Sequence, residues 1–152
     1  ERQRIAPLAA LAAARAGRQD LKPQLDGYWD RDETTWWKML AAFALFQLGD
    51  DQRLVTLFDL MNEGTLPGQF VPSILLDPQV VAPDVAARAV VDRIANGSAE
   101  ERETAVWMVP FLAANGADGA WAAVEKAVGD PDPWVRNAAR WALEQRAAKE
   151  GS

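Results

Sequence analysis

The chain has 152 residues, of which 49% are hydrophobic and 25% charged, a composition typical of one compact globular domain. Its net charge of −6 argues against a nucleic-acid-binding surface, which is normally basic. It contains neither cysteine nor histidine, so disulfides, thiolate nucleophiles, Ser-His-Asp triads and the common zinc and haem sites are excluded.

The chain offers no candidate for a membrane span, because no uncharged stretch approaches the required length of roughly 18 residues. Its first residues, Glu1-Arg2-Gln3-Arg4, lack the apolar run of a signal peptide, although the sequence starts without methionine and inside a predicted helix. We expect no membrane span and take a cytoplasmic location as the default.

Helical patterns fill most of the chain. The predicted helices cover residues 2–16, 19–29, 33–48, 51–63, 84–96, 99–115, 117–128 and 133–149. The first is alanine-rich, ends at Gly17 and is interpreted as a cap. Asp32 is the predicted N-cap of the third helix, and Ser98 with Glu101 forms a predicted capping box.

Residues 64–83 interrupt this pattern. Pro67, Pro72 and Pro78 forbid a full helix there, and one turn from Ser73 to Leu76 is the longest helix expected. The segment is interpreted as a degenerate repeat with two possible roles. Its apolar residues either fill the core or, as in many long irregular segments, serve a function.

The helices recur at a period of about 33 residues. The repeat is marked by four apolar helix ends that are each followed by a turn, namely Leu25, Leu57, Val90 and Val124. A second alignment pairs residues 36–45 with 134–143, about three periods away. The period and the apolar stripes predict an all-α stack of helical hairpins.

The stretch from Asp130 to Leu143 resembles the HEAT-like repeats of the phycobilisome-lyase type. The matching residues are Asp130, Val135-Arg136, Ala138-Ala139 and Ala142-Leu143. This resemblance implies an α-solenoid of about four HEAT-like hairpins with an N-terminal cap helix. It implies a single repeat domain over residues 1–152, with the degenerate repeat at 64–83.

Large aromatic residues occupy matching repeat positions. Trp36 and Phe43 are seven residues apart, as are Trp134 and Trp141, so each pair shares a helical face. The resemblance implies polar residues at these positions. One interpretation is an exposed aromatic strip along the inner helices that binds a partner. The other is that terminal repeats use large aromatics to cover their own edges.

We therefore expect a non-catalytic protein-protein interaction scaffold or accessory subunit that binds a protein partner on its inner helical face. The predicted partner-binding residues are Trp36, Lys38, Phe43, Trp134, Arg136, Arg140 and Trp141. Trp107 and Trp121 fall on apolar stripes and are predicted core residues.

Two enzymatic alternatives stay open. HEAT-like proteins include tetrapyrrole (bilin) lyases or chaperone subunits, for which an aromatic groove could hold the pigment, and DNA glycosylases, which the acidic balance disfavours. Most carboxylates sit at helix starts and turns, where N-capping explains them, and phosphate-loop and calcium-loop motifs are missing. No catalytic residue, metal or cofactor is therefore expected.

Overall fold

The structure, a computed structural model, describes residues 7–30, 35–50, 52, 53, 55, 58 and 70–152. Its helices are α1 Pro7–Arg15, α2 Lys22–Asp30, α3 Thr35–Gln47, α4 Phe70–Leu75, α5 Pro83–Asn96, α6 Ala99–Ala114, α7 Trp121–Ala127 and α8 Pro133–Glu150, with a 3₁₀ turn at Gln19–Leu21. The described residues contain no strand, which confirms the all-α prediction. The predicted N-cap Asp32 lies outside the described residues, as does most of the helix predicted at 51–63.

The backbone contacts divide the chain into two compact units. The N-terminal unit comprises residues 1–71 and 79–82, and the C-terminal unit comprises residues 72–78 and 83–152. The single repeat domain over residues 1–152 stays a prediction.

The N-terminal unit is built around α3, which packs against both α1 and α2. All eight residues from Met39 to Phe46 are at most 3% exposed. This stretch contains no charged residue, and a helix that is apolar on every side is expected to be buried on every side. Leu11 of α1, Leu25 of α2 and Phe58 are also buried in this unit.

The C-terminal unit consists of two hairpins, α5–α6 and α7–α8, arranged as two layers. In one layer α6 packs against α8, and in the other α5 packs against α7. Within the hairpins α5 packs against α6 and α7 against α8. Equivalent helices of successive hairpins therefore lie side by side.

The second helix of each hairpin begins in the same way. Ser98 Oγ accepts a hydrogen bond from the backbone N–H of Glu101 at 3.2 Å, which confirms the predicted N-cap of α6. Asp132, one repeat later, caps α8 by accepting from the N–H of Val135 at 3.2 Å. In both helices the cap therefore accepts from the third residue after it, and the two hairpins share one local construction.

Arginines four residues after these caps are equivalent in the same way. Arg102 Nη1 donates to the carbonyl of Gly97 at 3.0 Å, and Arg136 Nη1 donates to the carbonyl of Pro131 at 2.8 Å. Each arginine therefore closes the turn that precedes its own helix. This equivalence at the level of individual hydrogen bonds supports a structural repeat within the C-terminal unit.

Glycines with positive φ end α1, α3 and α6, at Gly17 (77°), Gly49 (95°) and Gly116 (90°). In each case the following N–H bonds a carbonyl five residues back, as in Arg18→Ala13, Asp50→Leu45 and Ala117→Leu112. This left-handed helix stop favours glycine because other residues carry a Cβ that crowds the backbone. The predicted stop at Gly17 is confirmed.

Two predicted helix starts were wrong. Helix α4 begins at Phe70 rather than Ser73, because Pro72 lies in the first turn, where its missing N–H has no intrahelical partner. Helix α7 begins at Trp121 rather than at residue 117, because Gly119 favours the preceding turn over a helix. Three apolar side chains of the interrupted segment are buried, namely Val71, Leu75 and Val81.

Candidate functional site

The exposed large apolar residues in the described part of the chain all belong to the C-terminal unit. Trp107 is 39% exposed, Phe111 54% and Trp134 67%. Trp107 and Phe111 are four residues apart on α6, so they share one side of that helix. A group of exposed aromatic side chains on neighbouring helices is unusual for a surface whose only contact is water.

Trp141 of α8 joins these residues into one surface. Its ring lies against that of Trp107, with centroids 4.1 Å apart and planes tilted by 44°. Each of these tryptophans lies nine positions after the N-cap of its helix, so the two occupy equivalent positions of the hairpins. Trp134 precedes Trp141 by two helical turns on the same side of α8. We call Trp107, Phe111, Trp134 and Trp141 the aromatic face.

A groove of about 660 Å³ opens beside the aromatic face, between the C-terminal halves of α6 and α8. Its aromatic walls are Phe111, Trp121 and Trp141. Small side chains, those of Ala113, Ala114 and Ala148, line it between these walls. The alanines leave the space open because they carry no atoms beyond Cβ.

Arg146 forms part of the groove wall and is held in place on two sides. Its guanidinium carbon lies 4.9 Å from the centre of the Trp121 ring, within the range of a cation–π interaction. Its Nη2 donates to Glu125 Oε1 at 3.1 Å. The charged residues at the groove rim are Asp118, Lys149 and Glu150. The groove is therefore apolar inside and charged around its edge.

A bidentate ion pair fixes α6 relative to the turn before α8. Arg102 donates through Nε and Nη2 to the two carboxylate oxygens of Asp130, each at 2.9 Å. These hydrogen bonds lower the pKa of Asp130, against the opposing effect of desolvation. The pair therefore connects α6, which carries Trp107, to the turn that leads into α8, which carries Trp141.

A second pair ties α5 to α6. Arg93 Nη1 donates to Glu101 Oε2 at 2.8 Å, and the two side chains are 9% and 5% exposed. Arg93 also donates through Nη2 to Asp92 Oδ2 at 2.7 Å. Burial works against the charge of Arg93, but the hydrogen bonds to the two carboxylates outweigh it and raise the pKa of its guanidinium.

The expectation that Phe43 is exposed was wrong, because its side chain is 0% exposed in the core of the N-terminal unit. Helix α3 packs against α1 and α2, which leaves no water-facing side at this position. Trp36 belongs to α3, but its side chain lies outside the described residues. Lys38, near the start of the same helix, is half-buried.

The predicted site residues of α8 have different surroundings. Trp134 and Arg140 are exposed, and Trp141 is half-buried against Trp107. Arg136 is half-buried and donates to the carbonyls of Asp130 and Pro131, so part of its role is local. The structure brings Trp134, Arg136, Arg140 and Trp141 together because one helix carries them all.

The prediction that Trp107 is a core residue was wrong, and Trp121 is only half-buried. Two groove residues, Phe111 and Trp121, were absent from the predicted site. The four-residue spacing of Trp107 and Phe111 and the equivalent repeat positions of Trp107 and Trp141 could have indicated a shared surface. Periodicity alone does not tell an apolar stripe that faces a neighbouring helix from one that faces water.

Among the described residues, no group of three or more His, Cys, Asp or Glu side chains could hold a metal ion. No described helix is long and apolar enough to cross a bilayer. Comparisons of the chain with protein-family models, with curated proteins and with solved structures found no match. The HEAT-like resemblance therefore rests on the repeat residues themselves.

Proposed function

We propose that this chain is a HEAT-like helical-repeat protein, an α-solenoid, that acts as a non-catalytic binding module for another protein. The aromatic face is the proposed contact surface. The observation that carries the proposal is the exposure of Trp107, Phe111 and Trp134 on two adjacent helices. Partner contacts of this kind are enriched in tryptophan and concentrate binding energy in a few central side chains.

Phe111 and Trp134 leave much of their apolar area in contact with water. Removing apolar area from water contributes roughly 25 cal/mol per Å². A partner that covers Phe111 and Trp134 would therefore bind with a favourable hydrophobic contribution from both side chains. Trp141 and Trp107 already lie against each other at 4.1 Å. Their rings are therefore positioned before binding, which lowers the entropy lost when a partner docks.

The repeat construction supports the architectural part of the proposal. The caps Ser98 and Asp132 are equivalent in the two hairpins, and so are the arginines at positions 102 and 136. In stacked-hairpin proteins, each repeat contacts its neighbours and the equivalent helices form a continuous binding surface. In this chain that surface is the layer of α6 and α8.

A second candidate is a subunit that binds a tetrapyrrole, as the bilin lyase-like alternative requires. The volume of the groove, about 660 Å³, lies within the range of small-molecule sites, and its walls are aromatic. Titration of the purified chain with a linear tetrapyrrole, followed by pigment absorption, tests this candidate. A saturable spectral shift that Trp121→Gln weakens would favour it over protein binding.

The proposed function is tested with three substitutions to glutamine, each at an exposed position. Phe111→Gln and Trp134→Gln alter the aromatic face, and Lys126→Gln alters an exposed position on α7 as a control. Each tagged variant is used to capture partners from source cells. We expect wild type and Lys126→Gln to retain a stoichiometric protein that the two face variants lose by about tenfold or more.

Thermal unfolding separates loss of binding from loss of folding. Because Phe111 and Trp134 are largely exposed, their variants should stay within about 1 kcal/mol of wild type. Equal retention of the partner by all variants would contradict the proposed surface.

A further inference from the structure

We infer that the occupant of the aromatic face and its groove is a basic amphipathic helix of the partner, an inference that rests on the proposed function. Such a helix would insert large apolar side chains between Phe111, Trp121 and Trp141. Its lysine or arginine side chains would meet the carboxylates around the face. The shape of the site, its charge distribution and the chemistry of its rings all support this assignment.

The shape suits a helix of limited length. The aromatic face and groove extend along α8 from Trp134 to Ala148, which corresponds to about 21 Å at 1.5 Å per residue. A partner helix of about 14 residues spans that distance. The alanine-lined groove between α6 and α8 has room for large side chains of a partner helix. Amphipathic helices bind in such grooves through apolar side chains that recur every three or four residues.

Carboxylates lie at both ends of the aromatic face. Glu100 and Glu103 precede Trp107 by seven and four residues on α6, so they extend its side of the helix. Asp118 and Glu150 stand at the rim of the groove at the opposite end. None of these four carboxylates forms an ion pair with another residue that the structure describes. They are therefore available to a partner.

The cations near the face are fewer. Arg146 is engaged by Glu125 and by the ring of Trp121, and Arg136 donates to the carbonyls of Asp130 and Pro131. The other cations of α8, Arg140 and Lys149, form no ion pair with a residue that the structure describes. Both α6 and α8 also end near the groove, and helix C-termini carry partial negative charge. The local excess of negative charge agrees with the net charge of −6 and favours a basic partner.

The rings add a further preference for cations. Arg146 already lies 4.9 Å from the Trp121 ring centre, which demonstrates that a guanidinium fits this environment. Trp134, at 67% exposure, offers an equivalent ring surface that no cation of the described residues covers. An arginine or lysine of the partner can stack on it while its aliphatic stem contacts the apolar surface.

The test uses two synthetic 16-residue helical peptides that carry a fluorescent label. Both have leucines at helical i, i+3, i+4 and i+7 spacing, and the flanking positions hold lysine in one peptide and glutamate in the other. Binding to the full chain is followed by fluorescence anisotropy. We expect the lysine peptide to bind at least about tenfold more tightly, with an affinity that falls as salt rises.

Charge reversal identifies the surface. Glu100→Lys should lower the affinity for the lysine peptide by about three- to tenfold and raise the affinity for the glutamate peptide. Asp84→Lys, an equal charge change at an exposed position of α5, is the matched control. It should change the affinity for either peptide by no more than about twofold. Phe111→Gln should lower the affinity for both peptides.

Several outcomes would overturn the inference. These are equal affinity for the two peptides, no binding of either, or equal effects of Glu100→Lys and Asp84→Lys. If any of them occurs while partner retention still depends on Phe111 and Trp134, the basic helix is refuted and the proposed function stands. If retention is indifferent to both aromatic residues, the proposed function itself fails.

Discussion

Helices α3 and α8 carry the same aromatic pattern in two different environments. In α3 of the N-terminal unit, Phe43 follows Trp36 by seven residues and is fully buried. In α8 of the C-terminal unit, Trp141 follows Trp134 by seven residues, and the two rings are half-buried and exposed respectively. The spacing of aromatic residues thus fixes which side of a helix they share, and the neighbouring helices fix whether that side meets water.

The remaining residues of the two helices explain the difference. Between Met39 and Phe46 helix α3 has no charged side chain, so each of its sides can be buried against other elements. Helix α8 buries only four of its residues, Val135, Ala138, Ala139 and Ala142. Three of those are alanines, which bring α8 close to its neighbours and leave its larger side chains on the outside.

The largest effect should come from truncating matched phenylalanines in the two environments. Phe43→Ala removes a fully buried ring and should lower the free energy of unfolding by about 3–5 kcal/mol. Phe111→Ala removes a ring that is 54% exposed and should cost no more than about 1 kcal/mol. Urea unfolding followed by circular dichroism measures both. Similar losses for the two variants would abolish the contrast between core and surface aromatics.

A smaller loss is expected from the buried ion pair of the C-terminal unit. Glu101→Gln leaves Arg93 buried with Asp92 as its only charged partner among the described residues and should cost about 2–4 kcal/mol. Glu103→Gln, on the same helix but half-buried and without an ion pair among the described residues, is the control and should stay within about 0.5 kcal/mol.

Tryptophan emission in urea reports this change, since four of the seven tryptophans lie in the C-terminal unit, namely Trp107, Trp121, Trp134 and Trp141. An unchanged midpoint for Glu101→Gln would mean that the apolar contacts alone hold α5 on α6, as they hold the core around α3.

The smallest effect concerns pH and the Arg102–Asp130 pair. Because the folded-state pKa of Asp130 lies below its unfolded value of about 3.9, this pair stabilises the fold above about pH 4 and loses its contribution as pH falls through the folded pKa. Asp130→Asn should therefore be less stable than wild type at pH 7 by about 1 kcal/mol, and the difference should shrink towards pH 3.

Urea midpoints measured from pH 7 to pH 3 check this expectation. Asp118→Asn, at an exposed carboxylate without an ion pair among the described residues, should follow wild type throughout. A difference between Asp130→Asn and wild type that stays constant with pH would show that the asparagine acts by altering the turn rather than by removing charge.

Local sequence information predicted α5, α6 and α8 of the C-terminal unit closely and misplaced the start of α7. Helix α5 was expected at 84–96 and spans Pro83–Asn96, and α8 was expected at 133–149 and spans Pro133–Glu150. Caps and stops such as Ser98 and Gly17 act through hydrogen bonds within a few residues, so they can be read from the sequence. The start of α4 was misplaced because Pro72 is compatible both with a helix that begins at Phe70 and with one that begins at Ser73.

The candidate site was predicted less well. Trp134, Arg140 and Trp141 belong to it by their place on α8, but Phe43 is core, and Phe111 and Trp121 were missed. Phe43 and Phe111 have the same side chain in the same kind of helix. Their environments differ because α3 is enclosed by neighbouring elements, whereas this side of α6 is covered only in part, by Trp141 of α8.

The sequence by itself determined the all-α class, the caps and the periodic recurrence of the helices, because these depend on backbone hydrogen bonding and on apolar spacing within single helices. Only the tertiary structure decided which aromatic residues are buried, that Trp107 meets Trp141, and that a groove opens beside Phe111. The physical reason is that exposure is a property of the packing between elements. Trp107, for example, is partly covered by Trp141, which lies one repeat later in the chain and which no pattern within α6 identifies as a neighbour.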